Sequence, residues 1–187
     1  MGLAPYIPEA ALPWLADAPL VFPEDAEALQ LALFRRATLD SLQALPDMTE
    51  GLEYRVLRAA GRAEDMETFY RLLKTKRYTM TRLRRLAAHL LLDYREAHGA
   101  SIREGAPYLR LLGANTKGQQ HLHTIRKTAT LPVITRYSQM KALAKANPHA
   151  AAAWQLELRS TAMRCLLSGE SFAKGNPEYF LSSISIN

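Results

Sequence analysis

The apolar residues of one stretch recur at positions i, i+3, i+4, i+7 and i+11, namely Leu83, Leu86, Ala87, Leu90 and Tyr94. This spacing predicts a helix over 79–94 with one side facing a core. Thr79 or Thr81 can begin the helix by accepting a hydrogen bond from a free backbone N–H of its first turn. We therefore expect a mostly α fold, a helical bundle packed around helix 79–94.

The start of the same stretch carries six positive charges and no acid, at Lys74, Lys76, Arg77, Arg82, Arg84 and Arg85. The free N–H groups and the macrodipole of a helix start already favour an anion, and nearby cations strengthen that preference. Arg82, Arg85 and His89 fall on a stripe beside the apolar side. The pattern favours a phosphate ligand. The alternative is a solvated helix face, although such faces usually mix both signs because like charges repel.

Charge is unevenly distributed along the 187 residues. Residues 1–50 contain eight acids and two arginines, a net charge of −6, so residues 51–187 carry +12. This asymmetry suggests a polyanionic partner for the basic part, with the acidic part facing away from that partner or toward another domain. The length and the 48% of hydrophobic residues are typical of one compact globular domain.

The chain has no apolar run long enough to cross a bilayer, and its first 20 residues contain acids and prolines where a signal peptide needs a basic start. We therefore expect a cytoplasmic protein with no membrane partner. A single cysteine, Cys165, cannot form an internal disulfide, and its apolar helical surroundings predict a buried, inert thiol.

Four further helices are predicted before the basic stretch from capping residues and apolar spacing, over 23–36, 38–44, 50–60 and 63–73. Residues 1–22 form an extended lead-in with a short helical turn at 10–15. Glu50 and Glu53 stand three residues apart, as two metal ligands could. A salt bridge to Arg55 or Arg58 is the favoured interpretation, because nothing nearby completes a ligand set.

The short connection between helices 63–73 and 79–94 also allows a helix-turn-helix, whose second helix would enter a DNA major groove. This is the main alternative function. Against it, the connection itself carries the charge, and the start of helix 79–94 offers no Asn or Gln to bind base edges.

The pattern changes after Gly99. A strand at 108–112, a helix at 115–127 and a strand at 131–134 predict a β-α-β unit with a parallel strand pair, which makes the fold α+β overall.

The turn GANTKG at 113–118 within this unit has the two-glycine spacing of a Walker A loop. Gln119 and Gln120 replace the Lys and the Ser or Thr that such a loop requires, so a small nucleotide-binding enzyme is a weak alternative. Asn115 as a helix cap explains the turn equally well. His121 and His123 lie on different faces of the helix, which argues against a shared metal.

Two more helices are predicted over 136–146 and 148–167, the second capped by Asn147 with Pro148 at its first position. Alternating Ile184 and Ile186 suggest an edge strand in the tail. We expect one domain over 1–187, made of the lead-in 1–22, a helical part 23–98, the β-α-β unit 106–135, helices within 136–168 and a tail 169–187.

Three ordered sequence blocks carry a resemblance to a known family. They are EGLEYR at 50–55, KTKRYTMTRLRRL at 74–86 and PYLRLLGANTKG at 107–118. They resemble the C-terminal half of the bacterial tRNA(Met) cytidine acetate ligases, whose members read approximately EGLENR, KTKRYT and PYIRVLGFN followed by KG. The similarity covers most of the chain from Tyr6 and weakens after Thr135. Tyr54 replaces the usual Asn, and the last 13 residues match only loosely.

This family has an N-terminal nucleotidyltransferase domain whose HIGH-type signature binds ATP, and we find no such signature in the sequence. The resemblance therefore suggests a piece of a longer protein that lacks the catalytic domain. It implies ATP and acetate as ligands of the parent enzyme, no cofactor and no metal in this chain, and tRNA and the missing domain as partners. We expect the chain alone to be inactive.

The resemblance implies that this chain grips tRNA and places the anticodon loop for formation of N4-acetylcytidine at the wobble position. Tyr78 could stack on a splayed base, although core packing explains a tyrosine there almost as well. The predicted RNA-binding residues are Lys74, Lys76, Arg77, Tyr78, Thr79, Arg82, Arg85, Arg110 and Lys117.

Overall fold

The structure is a computed structural model that describes residues 9, 12–13, 19–103, 107–180 and 184–185. Helices dominate this part of the chain, and its strands are two residues long. The predicted fold class, mostly α with a small parallel β element, is confirmed. The predicted helical turn at 10–15 lies largely outside the described residues.

A 3-10 turn at Pro23–Ala26 precedes six helices, which are α1 (Glu27–Arg36), α2 (Leu39–Gln43), α3 (Leu52–Ala60), α4 (Met66–Leu73), α5 (Met80–Leu91) and α6 (Glu96–Arg103). Helices α2, α4 and α5 each begin at a capping side chain, which accepts a hydrogen bond from the backbone N–H three residues later. The capping residues are Thr38, Asp65 and Thr79. Thr79 is thus the cap of α5, one of the two residues that the sequence allowed.

The main core lies between these helices, where α1 packs against α3, α4 and α5. Phe34 of α1 stacks on Phe69 of α4 with ring centroids 4.5 Å apart. Leu83, Leu86 and Ala87 of α5 are buried in the same core, as their spacing predicted. The side of α5 opposite to these residues is therefore left for other contacts.

The second half contains β1 (Leu109–Arg110), β2 (Gly113–Ala114), α7 (Thr116–Thr128), β3 (Val133–Ile134), α8 (Tyr137–Ala146), α9 (Pro148–Ser168), a 3-10 turn at Pro177–Tyr179 and β4 (Ile184–Ser185). Strands β1 and β3 pair in parallel, with Leu109 opposite Val133. The predicted β-α-β unit is confirmed, with strands shorter than expected. Gly113 and Ala114 instead pair in parallel with β4, so the tail strand forms a second sheet rather than an edge of the first.

A smaller core holds the second half together around Ile134, Met140 and Ala150. Cys165 of α9 is buried, as predicted. None of the residues of helix α7 is fully buried, so this helix lies outside both cores. In the part of the chain that the structure describes, no helix is long and apolar enough to cross a membrane.

Candidate nucleic-acid interface

The loop between α2 and α3 has a left-handed backbone at three of its residues. Asp47, Glu50 and Gly51 have φ of 63°, 67° and 76°. Two of them are not glycine, and a left-handed conformation costs such residues roughly 1 kcal/mol or more each. The loop needs contacts from elsewhere to hold this shape.

Arginines at the start of α5 supply these contacts. Arg77 donates from Nε to Glu50 Oε2 at 2.5 Å, and Arg85 donates from Nε to Asp47 Oδ2 at 2.8 Å. Arg82 donates to the backbone carbonyl of Asp47 at 2.6 Å and to Thr49 Oγ1 at 2.9 Å. The predicted stripe of Arg82 and Arg85 is therefore real, and it faces the loop.

This arrangement corrects two expectations. The run of positive charge does meet acids, because the acidic N-terminal segment folds Asp47 and Glu50 onto it. Glu50 pairs with Arg77 rather than with Arg55 or Arg58. The sequence could not show either contact, because the partners are 27 and 38 residues apart.

A positive excess remains after this pairing. We define the basic edge as Lys74, Lys76, Arg77, Arg82 and Arg85. Its five cations face two carboxylates, so three positive charges are left over. Lys74 and Lys76 are exposed and make no hydrogen bond or ion pair with a described residue. Arg84 lies on the other flank of α5, where it lines a groove with Glu27 and Glu67.

Tyr78 is buried, with 5% of its surface exposed. Its hydroxyl donates to the backbone carbonyl of Glu50 at 3.0 Å. The guanidinium groups of Arg55 and Arg82 lie over its ring, 5.7 and 5.3 Å from the centroid. This environment favours the core-packing interpretation over stacking on a splayed base, because both the ring and the hydroxyl are already in use.

Arg110 lies in a network of opposite charge. Its guanidinium donates to Glu157 of α9 and to Glu178 of the 3-10 turn, with 23% of its side chain exposed. Tyr108 also donates to Glu157, at 2.5 Å, and burial together with this bond raises the pKa of Tyr108. Two carboxylates surround one cation, so the network is net negative and disfavours phosphate. Arg110 therefore joins three elements of the fold rather than presenting a free cation.

A cavity of about 790 Å³ adjoins this network and is lined by Glu157, Glu178, His89 and Tyr94, among others. The ring of His89 lies 4.9 Å from that of Tyr94, and burial lowers the pKa of His89. His89 thus belongs to this cavity, one turn beyond the basic edge on the same stripe.

Lys117 is exposed near the start of α7. Asn115 caps this helix by accepting from the backbone N–H of Gly118 at 2.9 Å, as predicted. That N–H is among the groups with which a Walker A loop would bind phosphate, so the cap leaves little for a nucleotide. Nowhere in the described residues do three His, Cys, Asp or Glu side chains gather as a metal site, and this includes His121 and His123.

Sequence reasoning did not include the outward face of α3 among the binding residues. Arg55, Arg58 and Arg62 line a depression of about 140 Å³ there, and Tyr54 beside them is 55% exposed. The signal was present in the spacing, since 58 is four residues after 54 and three after 55, which places these side chains on one side of a helix, and 62 follows four residues later.

The comparisons with known proteins agree with the resemblance at the level of the family, and they do not show that the chain is the C-terminal part or lacks a catalytic domain. A family model described as HIGH Nucleotidyl Transferase matches residues 2–176. The chain belongs to this family. It is 37% identical to the tRNA(Met) cytidine acetate ligase of Latilactobacillus sakei over 134 residues. These residues are 71% of this chain and 34% of that protein. It is 44% identical over 96 residues to the ligase of Bacillus cytotoxicus, which is 50% of this chain and 24% of that protein.

The fold is also similar to that of a solved relative, Thermotoga maritima TmcAL. The apo form superposes with a TM-score of 0.85 at 23% identity, covering 96% of this chain and 46% of that one. The form bound with alpha-thio ATP gives a TM-score of 0.79 at 24% identity, covering 88% and 42%. This likeness establishes the fold. The chain spans 34% and 24% of the length of the two curated relatives named above.

Proposed function

We propose that this chain is the tRNA-binding part of an ATP-dependent tRNA(Met) cytidine acetate ligase and acts in the cytoplasm. In the parent reaction, ATP activates acetate as acetyl-adenylate with release of pyrophosphate. The N4 amine of the wobble cytidine then attacks the acetyl carbonyl, forms the new C–N bond and expels AMP. The role of this chain is to grip the tRNA backbone and to place the anticodon loop for a nucleotidyltransferase domain elsewhere in the parent protein.

The observation that carries this proposal is the basic edge. Its cations gather on one exposed side of the helical core, and two of them, Lys74 and Lys76, have no counter-charge among the described residues. Phosphate contacts by such groups supply most of the affinity in nucleic-acid binding and fix the orientation of the RNA. The ion pairs of Arg77 and Arg85 hold the strained loop beneath them and so keep the edge in place.

A position after the catalytic domain is part of the proposal. A HIGH signature needs two histidines three residues apart, and the five histidines of this sequence, at 89, 98, 121, 123 and 149, include no such pair. The catalytic steps would therefore require groups from another part of the parent protein.

Filter binding with an elongator tRNA(Met) transcript across a salt series tests the proposal. The variant Lys74→Ala/Lys76→Ala removes two free cations without disturbing the ion pairs beneath them. If both lysines neutralise a phosphate, the slope of log K against log salt flattens by about 1.4 to 1.8. The matched control is Lys141→Ala/Lys145→Ala, which removes two exposed lysines of α8.

Equal losses from the two double variants would mean that the basic edge is part of a diffuse positive field, and the proposed site would fall. Tighter binding to a DNA duplex than to the transcript would instead favour the helix-turn-helix alternative. That outcome is not expected, because Arg82 at the start of α5 already binds the loop at Asp47 and Thr49.

A further inference from the structure

The outward face of α3 consists of one aromatic and three cationic side chains. Tyr54, Arg55 and Arg58 lie within about 100° of one another around the helix axis, and Arg62 follows in the turn just after α3 ends. All four are exposed. The buried side chains of α3, among them Leu52 and Val56, point the opposite way into the main core. These four residues lie outside the main core, with only Arg55 contacting other parts of the fold, and we call them the α3 face.

The α3 face has no counter-charge of its own. Arg58 and Arg62 make no ion pair with any residue that the structure describes, and the depression they line with Arg55 contains no carboxylate. Arg55 reaches only the backbone carbonyl of Leu72, at 3.4 Å. Three guanidinium groups around one depression repel each other unless an anion lies between them. Guanidinium groups also match the geometry of phosphate oxygens.

The α3 face continues the basic edge. The guanidinium group of Arg55 lies over the ring of Tyr78. The guanidinium group of Arg82, which belongs to the basic edge, lies over the same ring. A polyanion bound along the basic edge can therefore pass from Arg82 to Arg55 and on to Arg58 and Arg62. Arg62 follows Arg58 by four residues, in the turn just after α3. The shape of this surface suits a chain of phosphates better than a single small anion.

We propose that the α3 face binds a single-stranded segment of the tRNA, with Arg55, Arg58 and Arg62 on consecutive backbone phosphates and Tyr54 stacked on an unpaired base. The inference rests on the proposed function and extends the tRNA site to a second helix. An exposed ring beside arginines is the arrangement with which proteins hold single-stranded nucleic acid. Tyr54 thus takes the stacking role that the sequence suggested for Tyr78, whose ring is buried.

The test uses the 187-residue chain and the same tRNA transcript. The variant Arg58→Ala/Arg62→Ala should flatten the salt slope by about 1.4 to 1.8, as for two phosphate contacts. Lys141→Ala/Lys145→Ala is again the matched control, since it also removes two exposed cations four residues apart in the chain. Arg58 and Arg62 make no hydrogen bond or ion pair with a described residue, so the thermal midpoint of the double variant should equal that of the wild type.

The stacking role has a separate readout. Tyr54→Ala should weaken tRNA binding about 5- to 150-fold with little change in salt slope, whereas Tyr54→Phe keeps the ring and should keep the affinity. If Tyr54→Ala binds as well as the wild type, no base stacks there and this half of the inference fails.

The outcomes separate this inference from the proposed function. If the Lys74/Lys76 variant flattens the salt slope and the Arg58/Arg62 variant matches the control, RNA binding by the α3 face is contradicted and RNA binding by the basic edge is supported. If both match the control, the proposed function falls and the inference falls with it. A last experiment measures the ATP affinity of the wild type and of the Arg58/Arg62 variant by calorimetry, without tRNA. A loss of ATP affinity in the Arg58/Arg62 variant, with tRNA binding unchanged, would assign the face to a free nucleotide and contradict an RNA site.

Discussion

Arg77 donates from Nε to Glu50 Oε2 at 2.5 Å and so ties the connection before α5 to the loop before α3. Tyr78, the next residue, donates its hydroxyl to the backbone carbonyl of the same Glu50. Two adjacent residues thus hold one left-handed residue through both its side chain and its backbone. The basic edge is consequently a structural clamp as well as a charged surface, and substitutions in it must be chosen to separate the two roles.

The ion pair makes stability depend on pH. The hydrogen bond from Arg77 lowers the pKa of Glu50 below its ordinary value of 4.5. Because this pKa is depressed in the folded state, the stabilisation is fully present above 4.5 and is lost as the pH falls through the folded value. Glu50→Gln should therefore lower the thermal midpoint at neutral pH and match the wild type in acid.

Thermal melts from pH 7 down to pH 3 would check this. Glu64→Gln is the control, because Glu64 is exposed and has no contact with a described residue. A constant difference between Glu50→Gln and the wild type at all pH values would contradict the role of the charge.

The buried hydroxyl of Tyr78 can be removed on its own. Tyr78→Phe deletes the hydrogen bond to Glu50 and keeps the ring under the two guanidinium groups. We expect the free energy of unfolding to fall by about 1 kcal/mol, measured by urea titration. The tRNA affinity of the folded variant should not change. Unaltered stability would show that this hydroxyl makes no net contribution to holding the loop.

Two helix caps should behave differently although both are asparagines. Asn147 accepts from the backbone N–H groups of His149 and Ala150 at the start of α9, which packs against α8 and α6. Asn147→Ala should cost about 1 kcal/mol of global stability. Asn115 caps α7, which buries nothing. Asn115→Ala should therefore leave global stability unchanged and speed amide exchange near Gly118, because α7 can fray by itself.

Hydrogen exchange and urea titration of both variants would separate these effects. A global loss from Asn115→Ala would mean that α7 is coupled to the core.

The Arg110 network offers a test of a predicted RNA contact. Arg110→Met leaves Glu157 and Glu178 facing each other without the cation between them. We expect a loss of about 2 kcal/mol at neutral pH, below the roughly 3 to 5 kcal/mol of a fully buried pair because the site is partly exposed.

If Arg110 is structural, tRNA binding by the folded variant should keep the wild-type salt slope. A slope flattened by about 0.7 to 0.9 would return Arg110 to the list of phosphate contacts.

The loop at 113–118 gives a prediction about nucleotides. The isolated chain should neither bind ATP tightly nor release pyrophosphate, because Asn115 already occupies the N–H of Gly118. Calorimetry would check this. Micromolar affinity for ATP that is lost in Gly118→Ala, together with normal folding of that variant, would restore the loop as a nucleotide site. A Cβ at this glycine would lie 3.2 Å from that of Ala114, so the fold of the variant must be verified.

The features of this protein that depend on near neighbours in the chain could be predicted from the sequence. Periodic Leu83 and Leu86 indicated the buried side of α5, and Asn115 and Asn147 marked helix starts, because a cap and its N–H are at most three residues apart. The parallel β-α-β unit followed from the change of period after Gly99 for the same reason.

Which charges remain unpaired among the described residues could be seen only in the folded structure. Arg77 meets an acid 27 residues away, and Arg110 meets one 68 residues away, and neither distance leaves a pattern in a single sequence. The burial of Tyr78 and the exposure of Tyr54 depend likewise on which helix faces pack together. Charge pattern predicted that a basic surface exists. The packing of the helices determines which cations of this surface remain unpaired, because an ion pair forms wherever the folded backbone brings two opposite charges within reach.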